Sequence, residues 1–455
     1  MKLDRAARLL TAGASLMLAA CVAFAPTKTA DNTGPDNTGP GNTWPGNTWY
    51  GVTTASGAAS GAASGAASGA APSPLAVTAV NLHVAGSGLA GRVRLANGAV
   101  YPIFNGARTK TTLSFMASAL DMTTPLDASF TGVADGKNWS GEWTNHGETI
   151  KLSLQPGPAP DEHGLRMVAL PDGRQIHLVC LGSGSPTVVF DAGAGGTLDD
   201  WRKVHAEIAK TTQACAYDRA GMGLSDQAAS PRDAAAVSRD LDAVLKAAGI
   251  KAPYVVVGHS LGSYHVRQFA NTHARAVVGM VLVDPSGDFQ VDRFAAAAPH
   301  FAKISNPDAQ VQTLKTCAAR ARQGLIPHGS PEFRSCSGNS PLKFETLASE
   351  IEAMTAASSP ELAASRRSYG AMPLIVLTRG DFTRGMPSEA TAEDRAAFET
   401  VWRTMHEEMR ALSSIGERRE IAGSGHYVQL DQPQAVITAV NDVVAAARRR
   451  TPPLR

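Results

Sequence analysis

Residues 254–268 read YVVVGHSLGSYHVRQ, and the reading of the C-terminal two thirds of the chain turns on Ser260. The apolar run Tyr254–Val257 has the character of a buried strand, and a helical pattern begins at Leu261 with no linker between. Gly258 and Gly262 flank the serine. They remove side chains where the backbone must fold sharply and where the helix must pack closely on the strand. A serine on such a turn is lifted above the sheet at a helix N-terminus, a place that favours developing negative charge. Five residues match by chance often enough that the chain must also supply the partners of a nucleophile.

Outward from this turn, strands and helices alternate. Strands are expected at Leu165–Leu170, Gln175–Leu181, Thr187–Phe190, Ala214–Tyr217, Tyr254–Val257, Val278–Val283, Leu374–Thr378 and Arg418–Ile421. Helical patterns fall near 199–210, 234–248, 261–273, 392–412 and 433–449. Apolar strands separated by helices imply a mostly parallel sheet covered on both faces. The first two strands, joined by Asp172-Gly173, read as an antiparallel hairpin. The interval of about 288–368 breaks the alternation with helical and irregular sequence. Insertions at the carboxyl ends of strands overlie the ligand crevice, so this one is read as a lid.

A serine hydroxyl is a poor nucleophile until a base takes its proton. The base expected here is His426, in the glycine-flanked loop IAGSGHYVQLDQP, because an imidazole accepts and returns a proton near neutral pH. His259 adjoins the serine from the wrong side of the turn, His265 lies inside the following helix, and His406 is read as solvated surface. An acid must then orient the imidazole. Asp381, in PLIVLTRGDF, follows the seventh strand and is preferred, and Asp284, in GMVLVDPSG after the sixth, is the alternative. The oxyanion of acyl transfer needs backbone donors. Leu261 N–H lies just past the serine. The second donor is assigned to Ala194, in the glycine loop VVFDAGAGGT. That loop lacks the G-x-G-x-x-G spacing of a dinucleotide fingerprint.

With GHSLG at 258–262, YDRAGMGLSD at 217–226, the glycines at 193–196 and SGHYVQLDQP at 424–433, the chain from about 164 to 455 resembles the α/β-hydrolase superfamily. These motifs are specific for the fold and weakly specific for substrate. The resemblance implies an eight-stranded, mostly parallel sheet with a helical lid, and a structural role for Asp218 and Arg219. Asp191-Ala192-Gly193 stands where many members carry His-Gly, a departure that keeps the backbone donor. A serine at the elbow argues against epoxide hydrolases and haloalkane dehalogenases, which use an aspartate there. In the family's strand order the second and fourth strands are neighbours, which implies a Cys180–Cys215 disulfide across the sheet and a Cys317–Cys336 disulfide within the lid. A zinc site fits less well, since the cysteines lack a C-x-x-C pair.

The N-terminus carries a different message. Lys2, Arg5 and Arg8 precede an apolar stretch, Leu9–Ala20, too short to span a bilayer but suited to a signal peptide. Leu18-Ala19-Ala20-Cys21 resembles the lipobox of bacterial lipoproteins, in which the cysteine is lipidated; plain secretion is the alternative. Residues 22–74 are low-complexity: pentapeptides of the DNTGP and GNTWP type at 31–50, then Ser-Gly-Ala-Ala repeats at 56–71. Such composition reads as a linker, with a root-mean-square reach of about 40 Å. Residues 75–158 read as a small β-rich domain. Val80, Leu82 and Val84, Val93 and Leu95, Leu113 and Phe115, and Ile150, Leu152 and Leu154 alternate there, with turns expected at Asn97-Gly98, Asn105-Gly106 and Asp135-Gly136.

With 42 basic and 40 acidic residues, no global field calls for nucleic acid as a partner. Arg448-Arg449-Arg450 suits the C-terminus of a helix. The expectation is an exported, membrane-tethered serine hydrolase acting on a small-molecule carboxylic ester without a cofactor or a metal. An amidase or peptidase would need an acidic, amine-recognising pocket, for which Glu350, Glu352 and Glu361 are the lid's candidates. A non-catalytic cell-envelope binding protein is the third reading.

Overall fold

Strand-forming alternation in the N-terminal part closes into a barrel. The computed structural model describes residues 48–52 and 77–450, apart from 86–87, 97–98, 119–126, 146–147, 158–165, 324, 326–335 and 337–340. The signal segment, Cys21, the Ser-Gly-Ala-Ala repeats and the Asn97-Gly98 turn lie outside the described residues. Strands β1 (Thr48–Val52), β2 (Val77–Ala85), β3 (Gly88–Leu95), β4 (Val100–Arg108), β5 (Thr112–Ser118), β6 (Asp127–Asp135), β7 (Asn138–Asn145) and β8 (Glu148–Pro156) form an antiparallel ring. Strand β1 closes it by pairing with both β2 and β8. Val80, Leu82, Val93, Leu95, Leu113, Phe115, Leu152 and Leu154 are all buried inside, with Phe130, Trp139 and Trp143. Side chains of this size fill an eight-stranded barrel.

Two local expectations differ from what forms. Strand β1, TWYGV, comes from the last copy of the pentapeptide repeat, upstream of the boundary expected at residue 75. Its inward Trp49 is buried in the barrel core, and the surrounding glycine and asparagine masked that single apolar contribution. Asn105-Gly106 does not turn the chain but lies within β4, where the register shifts and Asn105 takes a φ of 51°. Asp135-Gly136 does turn it, between β6 and β7, with Gly136 at φ 63°.

The barrel is seated on the rest of the protein through buried polar contacts. The Asp226 carboxylate accepts from His83 Nε2 at 2.6 Å and from the Gln175 amide at 2.7 Å. Arg92 Nε donates to the Leu224 carbonyl at 2.8 Å.

The second sheet runs in the order β16-β15-β14-β13-β11-β12-β10-β9. Its strands are β9 (Met167–Ala169), β10 (Gln175–Leu181), β11 (Thr187–Asp191), β12 (Ala214–Tyr217), β13 (Tyr254–His259), β14 (Val277–Val283), β15 (Leu374–Arg379) and β16 (Glu417–Ile421). Pairs β9–β10 and β10–β12 are antiparallel, and the neighbours from β12 through β16 pair in parallel. Successive residues of a strand face opposite sides, so the sheet divides two cores. Val255, Val257, Val281 and Val283 pack against Val436, Val440 and Val443 of the C-terminal helix Pro433–Arg450. Val256, Met280 and Leu282 face Leu241 and Val244 of helix Ala234–Ala247 and Val266 and Phe269 of helix Gly262–Thr272.

Among the described residues between β14 and β15 are the α-helices Gln290–Ala297, Pro299–Ser305, Pro307–Arg322, Pro341–Ala353 and Ser359–Ser365, in that order. Val311 and Leu314 of the third pack against Phe344, Leu347 and Ile351 of the fourth. Cys317 and Cys336 are bonded within this region, and Cys180 and Cys215 are bonded across the paired strands β10 and β12.

Candidate active site

Ser260 follows β13 with a φ of 49°, a left-handed conformation that costs a non-glycine residue about 1–3 kcal/mol. The turn tolerates no side chain on either flank. A Cβ on Gly258 would lie 2.7 Å from the Gly262 carbonyl oxygen, and one on Gly262 would lie 2.5 Å from that of Asp191. The serine is held by its own amide, which donates to the Val283 carbonyl at 3.1 Å. Its hydroxyl lies 2.9 Å from His426 Nε2. The other ring nitrogen, Nδ1, lies 2.6 Å from Asp284 Oδ2.

The acid in this chain of contacts is therefore Asp284, and the preferred Asp381 is not brought to the histidine. Asp381 lies beyond the end of β15, where its carboxylate closes a local turn. It accepts from the Thr383 amide at 2.9 Å and from the Thr383 hydroxyl at 2.7 Å. Asp284, directly after β14, is completely buried. Its Oδ1 accepts from the Arg379 amide at 3.0 Å and from Trp402 Nε1 at 2.9 Å; Arg379 Nε donates to Oδ2 at 2.7 Å. Burial alone would raise this carboxyl, but the Arg379 charge and the His426 hydrogen bond outweigh it and hold the group far below the usual carboxylate range. Burial and then the Arg379 charge push His426 below the ordinary imidazole value, against the pull of Asp284.

Two other histidines serve the site without entering the relay. His259 donates from Nε2 to the His426 backbone carbonyl at 2.9 Å, and its ring centroid is 4.7 Å from that of His426. Burial, then the neighbouring His426, lowers its pKa well below the normal value, which keeps it neutral. His406, expected at the surface, is fully buried on helix Ala392–Arg410. It contacts the Thr378 hydroxyl at 2.8 Å and the Pro285 carbonyl at 2.9 Å, and burial lowers its pKa to about 4. The i, i+4 pattern of charges on that helix concealed its inward face.

The glycine loop after β11 runs against Ser260. A Cβ on Gly193 would come within 3.3 Å of Ser260 Cβ and 2.8 Å of His259 Nδ1. Ala194 packs against the cluster that contains Leu261 and Tyr264. Arg219 fixes this loop from below. Its Nη1 donates to Asp191 Oδ1 at 2.9 Å and to the Ala192 carbonyl at 2.7 Å, and its Nη2 donates to the Gly193 carbonyl at 2.8 Å. On its other side Arg219 meets Glu350 of helix Pro341–Ala353, with Nε at 2.7 Å from Oε1 and Nη2 at 3.0 Å from Oε2.

Glu350 is thus a buried ion-pair partner rather than a solvated or amine-binding group. Of the other two carboxylates considered for an amine pocket, Glu352 pairs with Lys315 at 2.9 Å and Glu361 accepts from the Ala235 amide at 3.0 Å. Removing one partner of a buried pair costs about 3–5 kcal/mol, because the other charge is left without compensation. Glu350→Ala is accordingly expected to lower unfolding stability by about that amount, with Glu350→Gln intermediate, as read by urea denaturation. A loss within measurement error would show that Arg219 is fully satisfied by the glycine loop alone.

Sequence reasoning did not single out Arg379, Trp402 or the Arg219–Glu350 pair. The one available signal was Arg379 itself, a charge closing the apolar strand LIVLTR.

A model described as "Alpha/beta hydrolase family" matches residues 188–439. Over 274 residues the chain is 28 % identical to protein YqjL of Bacillus subtilis, covering 60 % of this chain and 89 % of that one. Among solved structures, the epoxide hydrolase CorEH aligns with a TM-score of 0.42 at 18 % identity, covering 62 % of this chain and 98 % of its own. A thermophilic esterase from Thermogutta terrifontis aligns with a TM-score of 0.42 at 16 % identity and the same two coverages.

Proposed function

Because the chain belongs to the alpha/beta hydrolase family, we propose that it is a serine hydrolase cleaving carboxylic esters through an acyl-enzyme. The observation that carries this reading is the unbroken line of contacts from the Ser260 hydroxyl through His426 to Asp284. In it, His426 Nε2 takes the serine proton as Oγ attacks the ester carbonyl. Asp284 holds Nδ1–H and offsets the imidazolium charge that results. The protonated Nε2 then gives its proton to the departing alcohol, and a water, deprotonated by the same nitrogen, releases the acid. The oxyanion of each tetrahedral intermediate is received by the amides of Ala194 and Leu261. Each such donor is worth about 2.7–4 kcal/mol of transition-state stabilisation.

Glu350, Glu352 and Glu361 already have partners within the protein, which favours an ester over an amine-bearing amide as substrate. The same reading puts the enzyme outside the cytoplasm, tethered to a membrane by lipid on Cys21. The two disulfides support an oxidising compartment.

The test is hydrolysis of a p-nitrophenyl ester series from short to long acyl, with a fluorophosphonate label as active-site titrant. Turnover with stoichiometric labelling at Ser260 is expected, and the acyl optimum defines the class of ester. An unlabelled protein that turns over none of the series would refute the reading.

A further inference from the structure

The acid of a Ser-His-Asp relay ordinarily serves its histidine, but here its carboxylate is shared with a cation. Arg379, at the end of β15, is 7 % exposed. Its Nε lies 2.7 Å from the same Oδ2 of Asp284 that meets His426, and its Nη2 lies 2.8 Å from His426 Nδ1. The guanidinium is clamped over the Trp402 ring at 4.8 Å, with Phe398 at 5.7 Å and Phe382 at 5.8 Å. A guanidinium can only donate. When Nδ1 carries the proton it needs in order to bond Asp284, Nη2 faces it donor to donor, and the guanidinium charge then opposes the second proton, on Nε2, that would make the ring a cation.

We propose that Arg379 is a positioning residue of the relay: by sharing Asp284 with His426 and setting its own charge against Nδ1, it keeps the imidazole an unprotonated base in acidic surroundings. This rests on the assignment of His426 as the base. Among the described residues, no other charge near the ring does the same work. His259 is neutral and donates to the His426 carbonyl, and His406 is bonded to Thr378 and Pro285 behind Asp284. Trp402 and Tyr427 present uncharged rings. Farther out, Asp381 closes its own turn, and Arg384 pairs with Asp431, whose carboxylate also takes the Gly425 amide. The ring therefore sees one carboxylate and one guanidinium side by side. Burial and Arg379 both lower its proton affinity and Asp284 raises it. A lowered value leaves the base free at lower pH, so losing the Arg379 charge must move the acidic limb of the activity profile upward.

The experiment compares the parent with Arg379→Met, Arg379→Gln and Arg379→Lys. One readout is the pH dependence of kcat/KM for a p-nitrophenyl ester. The other is the NMR titration of the His426 ring in a Ser260→Ala background, which requires no turnover. The methionine and glutamine variants are expected to raise the His426 midpoint and the acidic limb by about one unit, a tenfold change in proton affinity. The lysine variant is expected to restore the parental midpoint. Glutamine retains a donor for Asp284, so it answers the question should the methionine variant fail to fold. A folded, charge-free variant whose His426 midpoint stays at the parental value overturns the proposal. An NMR shift as expected in a protein that hydrolyses no ester upholds the role of Arg379 and refutes the ester reading alone.

Discussion

Ser260→Ala is expected to lower kcat on p-nitrophenyl esters by about a millionfold, the loss that follows when the nucleophile of such a relay is removed. The size of the effect follows from the geometry. Among the described residues, the hydroxyl placed 2.9 Å from His426 Nε2 is that of Ser260. The neighbouring Ser286 hydroxyl lies 3.5 Å from Ser260 Oγ. The turn has no other group to offer as nucleophile, and the alanine fits the space the serine vacates. Its circular dichroism should match the parent, since the turn is fixed by the Ser260 amide and the Gly258 and Gly262 backbones, which the substitution leaves alone. Retention of a tenth or more of parental kcat by a folded variant would exclude Ser260 as the nucleophile.

Asp284→Asn should cost about four orders of magnitude in kcat, and Asp381→Asn should leave kcat at the parental level. Asparagine is nearly isosteric with aspartate, but it offers Nδ1 an acceptor or a donor according to its flip and carries no charge to balance imidazolium. It also strips Arg379 of its buried counter-ion and leaves the guanidinium among aromatic rings and His426. Part of the loss should therefore appear as instability, which a urea titration separates from the effect on turnover. Asp381 points into a turn closed by Thr383 and touches nothing in the relay, so its replacement tests the assignment directly. Equal losses in the two variants, or a larger loss at Asp381, would reverse the assignment of the acid.

The contrast between these two aspartates marks what the sequence could convey. Ser260 and His426 were legible because each stands in a glycine-flanked turn whose position relative to a strand restricts where the side chain can point. The acid was not, because Asp284 and Asp381 both follow strands, and the choice depends on which loop reaches the back of the imidazole. That distance is set by the left-handed backbone of Asp284, φ 40°, and by the Trp402 indole from a helix more than a hundred residues downstream. Arg379 was illegible for the same reason: a charge at a strand end looks solvated until Trp402, Phe398 and Phe382 are seen closing over it. The central strands of the second sheet, β11 through β15, could be placed closely because their runs are mostly apolar and buried. Barrel closure could not, because β1 contributes a single buried tryptophan from within a repeat of asparagine, threonine and glycine.

The ten-residue turn YDRAGMGLSD has an implication for how the chain may be shortened. Within that span, Arg219 holds the glycine loop and Glu350, Asp218 accepts from the Leu198 and Leu224 amides and contacts His177, and Leu224 and Asp226 receive Arg92 and His83 of the barrel. A catalytic fragment cut to begin near residue 164 would return Asp226 and the Leu224 carbonyl to solvent and free one end of the segment that carries Arg219. The barrel is in this sense a buttress. Deleting it should loosen the floor beneath the glycine loop while Ser260, His426 and Asp284 are all still present.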